Sequence, residues 1–269
     1  MLKDITLGQY FPGDSALHRM DPRMKIILML LYIIMIFLAH TIYSYAAVLL
    51  SAVVLVMISR IPWKLILRGV KPLIFIIIFT GIINVFWTEG EDLLFHWGFV
   101  SIYREGIEFA VFMMVRIVTL ILGTGVLLSY TTSPIALTDG IERLLSPLKK
   151  IKVPVHEFSM MMSIALRFIP TLMEETDKIM SAQKARGADF TTGSIMQRAR
   201  SLIPVFIPLI VSAFRRADEL AVAMECRCYH GGKGRTRMTQ LRLHGVDFVM
   251  LAVIIFMGSV IVGLNYLPL

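Results

Sequence analysis

Five apolar stretches constrain this chain more than any other feature. They run from about Ile26 to Ala39, from Ile42 to Ile58, from just after Lys71-Pro72 to Trp87, from Ile107 to Tyr130 and from Val246 to Leu267. A bilayer core of about 30 Å is crossed by about 20 apolar residues in a helix, because backbone polar groups have no water to bond there. With 57% hydrophobic and 17% charged residues, the 269-residue chain is more apolar than an ordinary soluble domain and reads as integral to a membrane. Only His40 and Thr41 separate the first two stretches, which predicts a tight helical hairpin. From Arg143 to Arg242 there is no uninterrupted apolar run of about 18 residues, so this segment is expected outside the bilayer core.

Loop charges predict the orientation. Arg60, Lys64, Arg68 and Lys71 lie between spans two and three, whereas Glu89, Glu91, Asp92 and Glu105 lie between three and four. The positive-inside rule makes the basic loop cytosolic and the acidic one external. The N-terminus, with Arg19, Arg23 and Lys25, is then cytosolic, as is the region between spans four and five, and the C-terminus is external. The expected fold is an all-α polytopic membrane protein of about five transmembrane helices. It divides into residues 1–130 with four spans, 131–245 with cytosolic or interfacial helices, and 246–269 with the last span.

The formal net charge of +8 follows from this topology, since Lys and Arg collect in cytosolic loops, and no groove-reading motif points to nucleic acid. Cys226 and Cys228 are the only cysteines, which excludes a disulfide framework. Asp4, Asp14 and His18 occupy a start without the apolar core of a cleavable signal peptide.

The region after span four opens with Ser133-Pro134, a cap residue and a proline suited to a first helical turn. Leu137, Ile141, Leu144, Leu145 and Leu148 follow at three- and four-residue spacing, which predicts an amphipathic helix. Two related stretches come next. Phe168-Ile169-Pro170 leads to Ala185-Arg186-Gly187, and Phe206-Ile207-Pro208 leads to Cys226-Arg227-Cys228. The second copy is three residues longer, about 300° of helix rotation, so the two arginines need not occupy equivalent faces. Phe158 to Ile169 and Leu202 to Phe214 are too short to span and are interrupted by Arg167, Pro204 and Pro208, which places them along the membrane face or in a packed cytosolic layer.

Two readings of Arg186 and Arg227 stand side by side. One is a cation near a helix C-terminus, with Gly187 ready for the left-handed cap. The other is a docking tip, where Ala185, Gly187 and Ala188, or Ala223, Cys226 and Cys228, let a partner backbone approach while the guanidinium forks onto carboxylates.

Other candidates are less pointed. Met160, Met161, Met162, Met173 and Met180 are either adaptable core filler or a re-packable contact surface, with Met161 and Met173 the positions of interest. Arg116 falls inside the fourth span and should pair with a polar group such as Asn84 or with helix carbonyls, in a structural or a functional role. Cys226, Cys228 and His230 lack a fourth ligand, so no metal site is assigned. Gly231-Gly232-Lys233-Gly234-Arg235-Thr236 fails the phosphate-loop pattern, and no catalytic triad or carboxylate pair is evident.

Across nearly its whole length the chain resembles the transmembrane T-component of energy-coupling factor (ECF) transporters, the ABC-type importers of vitamins and trace nutrients. The resemblance rests on Tyr10-Phe11-Pro12-Gly13-Asp14-Ser15, His18-Arg19-Met20-Asp21-Pro22-Arg23-Met24-Lys25, Arg116 and Thr131-Thr132-Ser133-Pro134. It continues through Ala165-Leu166-Arg167-Phe168-Ile169-Pro170-Thr171-Leu172 and Arg215-Arg216-Ala217-Asp218-Glu219-Leu220-Ala221. It implies a non-catalytic coupling subunit in a prokaryotic plasma membrane, whose Ala-Arg-Gly motifs dock in two ABC ATPases. Ala185-Arg186-Gly187 matches that motif fully, and Cys226-Arg227-Cys228 keeps the arginine while meeting the small-residue requirement only approximately. The chain itself would bind no cofactor; ATP and Mg would belong to the partner ATPases, an unequal pair. A substrate-binding membrane subunit, the S-component, would rest on the apolar face, with Met161 and Met173 as its candidate contacts.

Two other classes compete. A secondary transporter would move substrate through its own spans but should show inverted repeats with polar residues at mid-membrane. A lipid-modifying enzyme would need an interfacial carboxylate or histidine cluster, and Glu174-Glu175-Asp177 reads more simply as a solvated helix face.

Overall fold

The computed structural model describes residues 10–90, 92–97, 100–190, 192–231 and 240–266. Among them α1 (Pro22–Phe37), α2 (Ile42–Ser59), α3 (Trp63–Val70), α4 (Ile74–Trp87) and α5 (Arg104–Thr124) precede α6 (Pro134–Leu144), α7 (Val155–Ala185), α8 (Ile195–Cys226) and α9 (Gly245–Leu264). A small antiparallel hairpin, β1 (Leu93–Trp97) with β2 (Val100–Tyr103), fills the acidic loop before α5. The protein is all-α in class and multi-pass.

Among the described residues four helices are long and apolar enough to cross a membrane: Ile42–Ser59, Trp63–Trp87, Arg104–Ser129 and Gly245–Leu264. The first expected span forms α1, which at 16 residues rises only about 24 Å. Polar groups fix both of its ends. The Asp21 carboxylate accepts the Arg23 N–H at 2.9 Å at the start, and beyond the last turn Asn265 donates to the Leu38 carbonyl at 2.6 Å and accepts the His40 N–H at 3.2 Å. The basic loop between spans two and three is partly helical, since Lys64 and Arg68 lie on α3.

The described residues form two compact units, one within Leu7–Gly140 and Leu241–Leu269, the other within Ile141–Gln240. In the first, α1 packs on α5 and α9, and α4 packs on α5. Leu28, Tyr32, Met35 and Ile36 of α1 meet Val48, Leu55 and Val56 of α2 and Ile254 and Ile261 of α9 in the core. The close approach of α5 to α1 depends on Gly123, where a Cβ would stand 2.0 Å from Cε1 of Tyr32. Just beyond, Gly125–Ser129 winds as a π-helix closed by the Tyr130 N–H on the Gly125 carbonyl at 2.8 Å.

Two buried charges hold the helix ends of this unit together. Asp247, fully buried in the first turn of α9, accepts the Asp21 N–H at 3.0 Å and the His244 N–H at 2.7 Å. Lys25 is also buried and donates from Nζ to the Thr131 carbonyl at 2.8 Å and to Thr132 Oγ1 at 3.0 Å. Removing one member of such a set strands the others without water, which makes the residues from Asp21 to Lys25 interdependent.

In the second unit α7 and α8 pack against each other as an antiparallel pair. Glu175 of α7 faces Ser212 and Arg216 of α8, whereas Gln183, further along α7, faces Pro204, further back on α8. Pro170, Pro204 and Pro208 lie inside these helices rather than at their starts, so each apolar run is continuous with the charged segment after it. Pro208 cannot donate to the Pro204 carbonyl, and Gln183 Nε2 approaches that oxygen at 3.5 Å instead. The helix begun at Ser133-Pro134 ends at Leu144, because Pro147 opens a 3-10 turn at Ser146–Ile151. Leu145 and Leu148 are therefore exposed instead of completing an amphipathic face.

Candidate functional site

The backbone determines where the two arginines stand. Arg186 is the C-cap of α7 with φ −87° and ψ 7°, and Arg227 is the C-cap of α8 with φ −94° and ψ 16°. After α7, the Gly187 N–H bonds the Lys184 carbonyl at 2.9 Å and the Ala188 N–H bonds the Gln183 carbonyl at 3.0 Å. After α8, the Cys228 N–H bonds the Glu225 carbonyl at 2.9 Å and the Tyr229 N–H bonds the Met224 carbonyl at 3.1 Å. Both are complete Schellman motifs with an arginine at the same position. The three-residue difference in length does not separate them, because each helix simply runs until its own arginine.

The motif requires a left-handed residue next. Gly187 adopts φ +87° with open space around it, so backbone conformation, not crowding, calls for glycine there. Cys228 takes the equivalent place with φ +54°, where a Cβ costs about 1 kcal/mol. Cys228→Gly is therefore expected to stabilise the end of α8 by about 0.5 to 1 kcal/mol, and Gly187→Ala to destabilise the end of α7 by about 1 kcal/mol. Amide hydrogen exchange over the last turn of each helix measures both.

Ala185, Arg186, Gly187, Cys226, Arg227 and Cys228 are all exposed. Among the described residues neither guanidinium enters an ion pair, and both caps are closed by backbone groups alone. Capping thus explains the backbone but leaves the side chains without a structural task. The tips are also far apart. Arg227 borders a cavity of about 670 Å³ together with Met160, Arg167 and Met224, beside the N-terminal half of α7. Arg186 lies roughly 30 Å further along α7, at the opposite end of the pair.

Between the tips, one polar contact locks the crossing. Glu175 accepts from the Ser212 hydroxyl and, at 2.8 Å, from Nη2 of Arg216. The acidic trio expected to be a solvated face thus contributes an interhelical pair, which no local spacing reveals because its partners lie 37 and 41 positions away. The Ser212 hydrogen bond, and then the Arg216 guanidinium, hold the Glu175 carboxyl below its ordinary range. A depressed folded pKa adds stability that is complete above the unfolded value of about 4.3 and is lost as pH falls through the folded one. Thermal unfolding in detergent should show that loss below about pH 4.3, and Glu175→Gln should flatten this part of the profile.

The remaining candidates separate. Met161 is exposed, whereas Met173, about 120° further round α7, is half-buried. Arg116 does not reach Asn84, which donates to the Thr80 carbonyl at 2.8 Å. Instead its Nη2 reaches the Tyr45 hydroxyl and, at 3.4 Å, the Ala39 carbonyl just past α1, with the guanidinium 5.4 Å from the centre of the Phe37 ring. It ties α5 to the α1–α2 turn. Among the described residues no cluster of three metal-ligating side chains forms, and of the glycine-rich run only Gly231 is described, residues 232–236 lying outside.

A family model described as a cobalt transport protein, CbiQ, matches residues 13–238. The chain is 56% identical to an energy-coupling factor transporter transmembrane protein, EcfT, of Ruminiclostridium cellulolyticum, with 97% of each chain covered. The chain belongs to the CbiQ/EcfT family. Its likeness to proteins named EcfT extends to Clostridium kluyveri, at 52% identity over 93% of this chain and 92% of the relative, and to Bacillus subtilis, at 46% over 97% and 98%. As a CbiQ/EcfT protein it is a transmembrane component of an ECF-type transporter, consistent with its apolar helices.

Proposed function

We propose that this chain is the coupling subunit of an ECF-type importer, passing ATP-driven motion from two cytosolic ATPases to a substrate-binding membrane subunit. The observation that carries this reading is the pair of exposed arginines, each on an identical backbone-closed cap, at opposite ends of two packed helices of 31 and 32 residues. Two separated cationic tips suit two separate acceptors, and a continuous helix between them transmits displacement. Arg186 has small neighbours and Arg227 lies between cysteines, which fits two non-identical ATPases.

The subunit performs no chemistry of its own; the ATPases hold ATP and Mg and hydrolyse the nucleotide. Closure of that pair draws on the two tips and tilts α7 and α8 against each other about the Glu175 contact. Ile203, Ile207, Ile210 and Phe214 form an exposed apolar stripe along α8, and Met161 adds to the exposed surface of α7. The S-component rests on this layer, so substrate selectivity, for a vitamin or related micronutrient, resides in that partner. The N-terminus is cytosolic and the C-terminus external, as the loop charges require.

Purification of the tagged chain from native membranes in mild detergent tests this reading. Two ATPases and at least one small membrane protein are expected to accompany it, and uptake into proteoliposomes should require ATP. Accumulation by the chain alone, driven by an ion gradient, would establish secondary transport instead.

A further inference from the structure

We propose that the segment from Leu145 to Pro154 is an interfacial anchor that inserts apolar side chains among anionic lipids of the cytosolic leaflet. Every residue in this run is exposed, yet Leu145, Leu148, Ile151 and Val153 are bulky and apolar, Ile151 at 77% exposure. Surface turns are ordinarily built from small and polar residues, and four exposed aliphatic side chains so close together mark a contact surface.

The shape is fixed in advance of any partner. Lys152 adopts the left-handed conformation at φ 63°, the Lys152 N–H bonds the Lys149 carbonyl at 3.1 Å, and the Val153 N–H bonds the Leu148 carbonyl at 3.4 Å. This is a third Schellman closure in the same unit, and such a closure brings the residues at its two ends, here Leu148 and Val153, together. Pro147 and Pro154 further restrict the turn. A wedge ordered in this way loses little conformational freedom on insertion.

Charge identifies the occupant. Lys149, Lys150 and Lys152 are exposed among the aliphatic side chains, and the run contains no acidic residue. Lysines flanking buried aliphatics are the pattern of an interfacial segment, with ammonium groups at headgroup level above the inserted side chains. The run begins 16 residues after Ser129, the end of the Arg104–Ser129 span, within the roughly 15 to 20 residues over which basic side chains stay on the cytosolic side. That leaflet carries the anionic lipid, and each lysine is worth about fivefold in partition to its surface. The inference requires a membrane-integral chain but not the coupling role.

A nitroxide at Ile151→Cys, in full-length protein carrying Cys226→Ser and Cys228→Ser, tests the anchor in liposomes. In bilayers containing phosphatidylglycerol the label should collide with oxygen in preference to a water-soluble nickel chelate. A label at Arg198→Cys should show the opposite preference. Pure phosphatidylcholine, or Lys149→Gln, Lys150→Gln and Lys152→Gln together, should shift the Ile151 label towards the chelate. Free access of the chelate in phosphatidylglycerol overturns the proposal, as does a bilayer depth insensitive to lipid charge. Protection that arises only when the other transporter subunits are added overturns it too, since a protein would then cover the segment.

Discussion

Arg186→Ala combined with Arg227→Ala is expected to leave the fold intact while abolishing ATPase association and uptake. Both caps are made by backbone N–H groups on backbone carbonyls, so alanine at the C-cap keeps every hydrogen bond of the motif. The lost cation–dipole attraction is about 0.3 to 1 kcal/mol at each exposed end. Docking is different. A guanidinium forked onto a partner carboxylate leaves that carboxylate stranded when it is removed, at a cost of roughly 2 to 5 kcal/mol per tip. Each single variant should weaken co-purification of one ATPase, and the double variant should lose both. Arg186→Lys should also be impaired, because a point charge cannot make the two parallel hydrogen bonds. Thermal melting in detergent alongside the pull-down separates the two effects, and unchanged association in the double variant would remove the arginines from the docking role.

Gly123→Ala is expected to be the most damaging small substitution in the membrane unit. A Cβ there would stand 2.0 Å from Cε1 and 2.6 Å from Cζ of Tyr32, a ring 1% exposed. The ring cannot swing away easily, since its hydroxyl meets Ser51 Oγ at 3.2 Å and α2 closes the other side. Accommodating the methyl group means parting α1 from α5, at about 3 kcal/mol or more. Denaturant titration in mixed micelles measures this. Tyr32→Leu clears the space at a cost of its own, so Gly123→Ala with Tyr32→Leu should be less destabilised than the two single effects added together.

What the sequence made legible was what one segment decides alone. Apolar runs located the spanning helices, and Ser133-Pro134 and Arg186-Gly187 located a helix start and a helix end. The span count came close because α1 has spanning composition; its polar-pinned ends, and not its apolarity, keep it to 16 residues. Pro204 and Pro208 suggested interruptions, yet α8 runs through both as α7 runs through Pro170, and on α8 a glutamine side chain from α7 approaches the carbonyl that Pro208 leaves unbonded. Pairings distant in sequence stayed hidden. Glu175 with Arg216 and Asp247 with the Asp21 N–H depend on which helices become neighbours. Asp247 did carry a local signal, a carboxylate two residues into an apolar span, where an ionisable group ordinarily has a partner. The likeness of the two arginine ends was obscured by counting residues between motifs, whereas the backbone aligns them through their caps.

Whether the two capped ends are separate ATPase contacts is decided by site-specific photocrosslinking from Ala188 and Tyr229, each two residues past its arginine. In the assembled transporter each position should capture an ATPase, a different one from each end. Capture of both ATPases from one end and neither from the other, or of none from either, would contradict separate contacts.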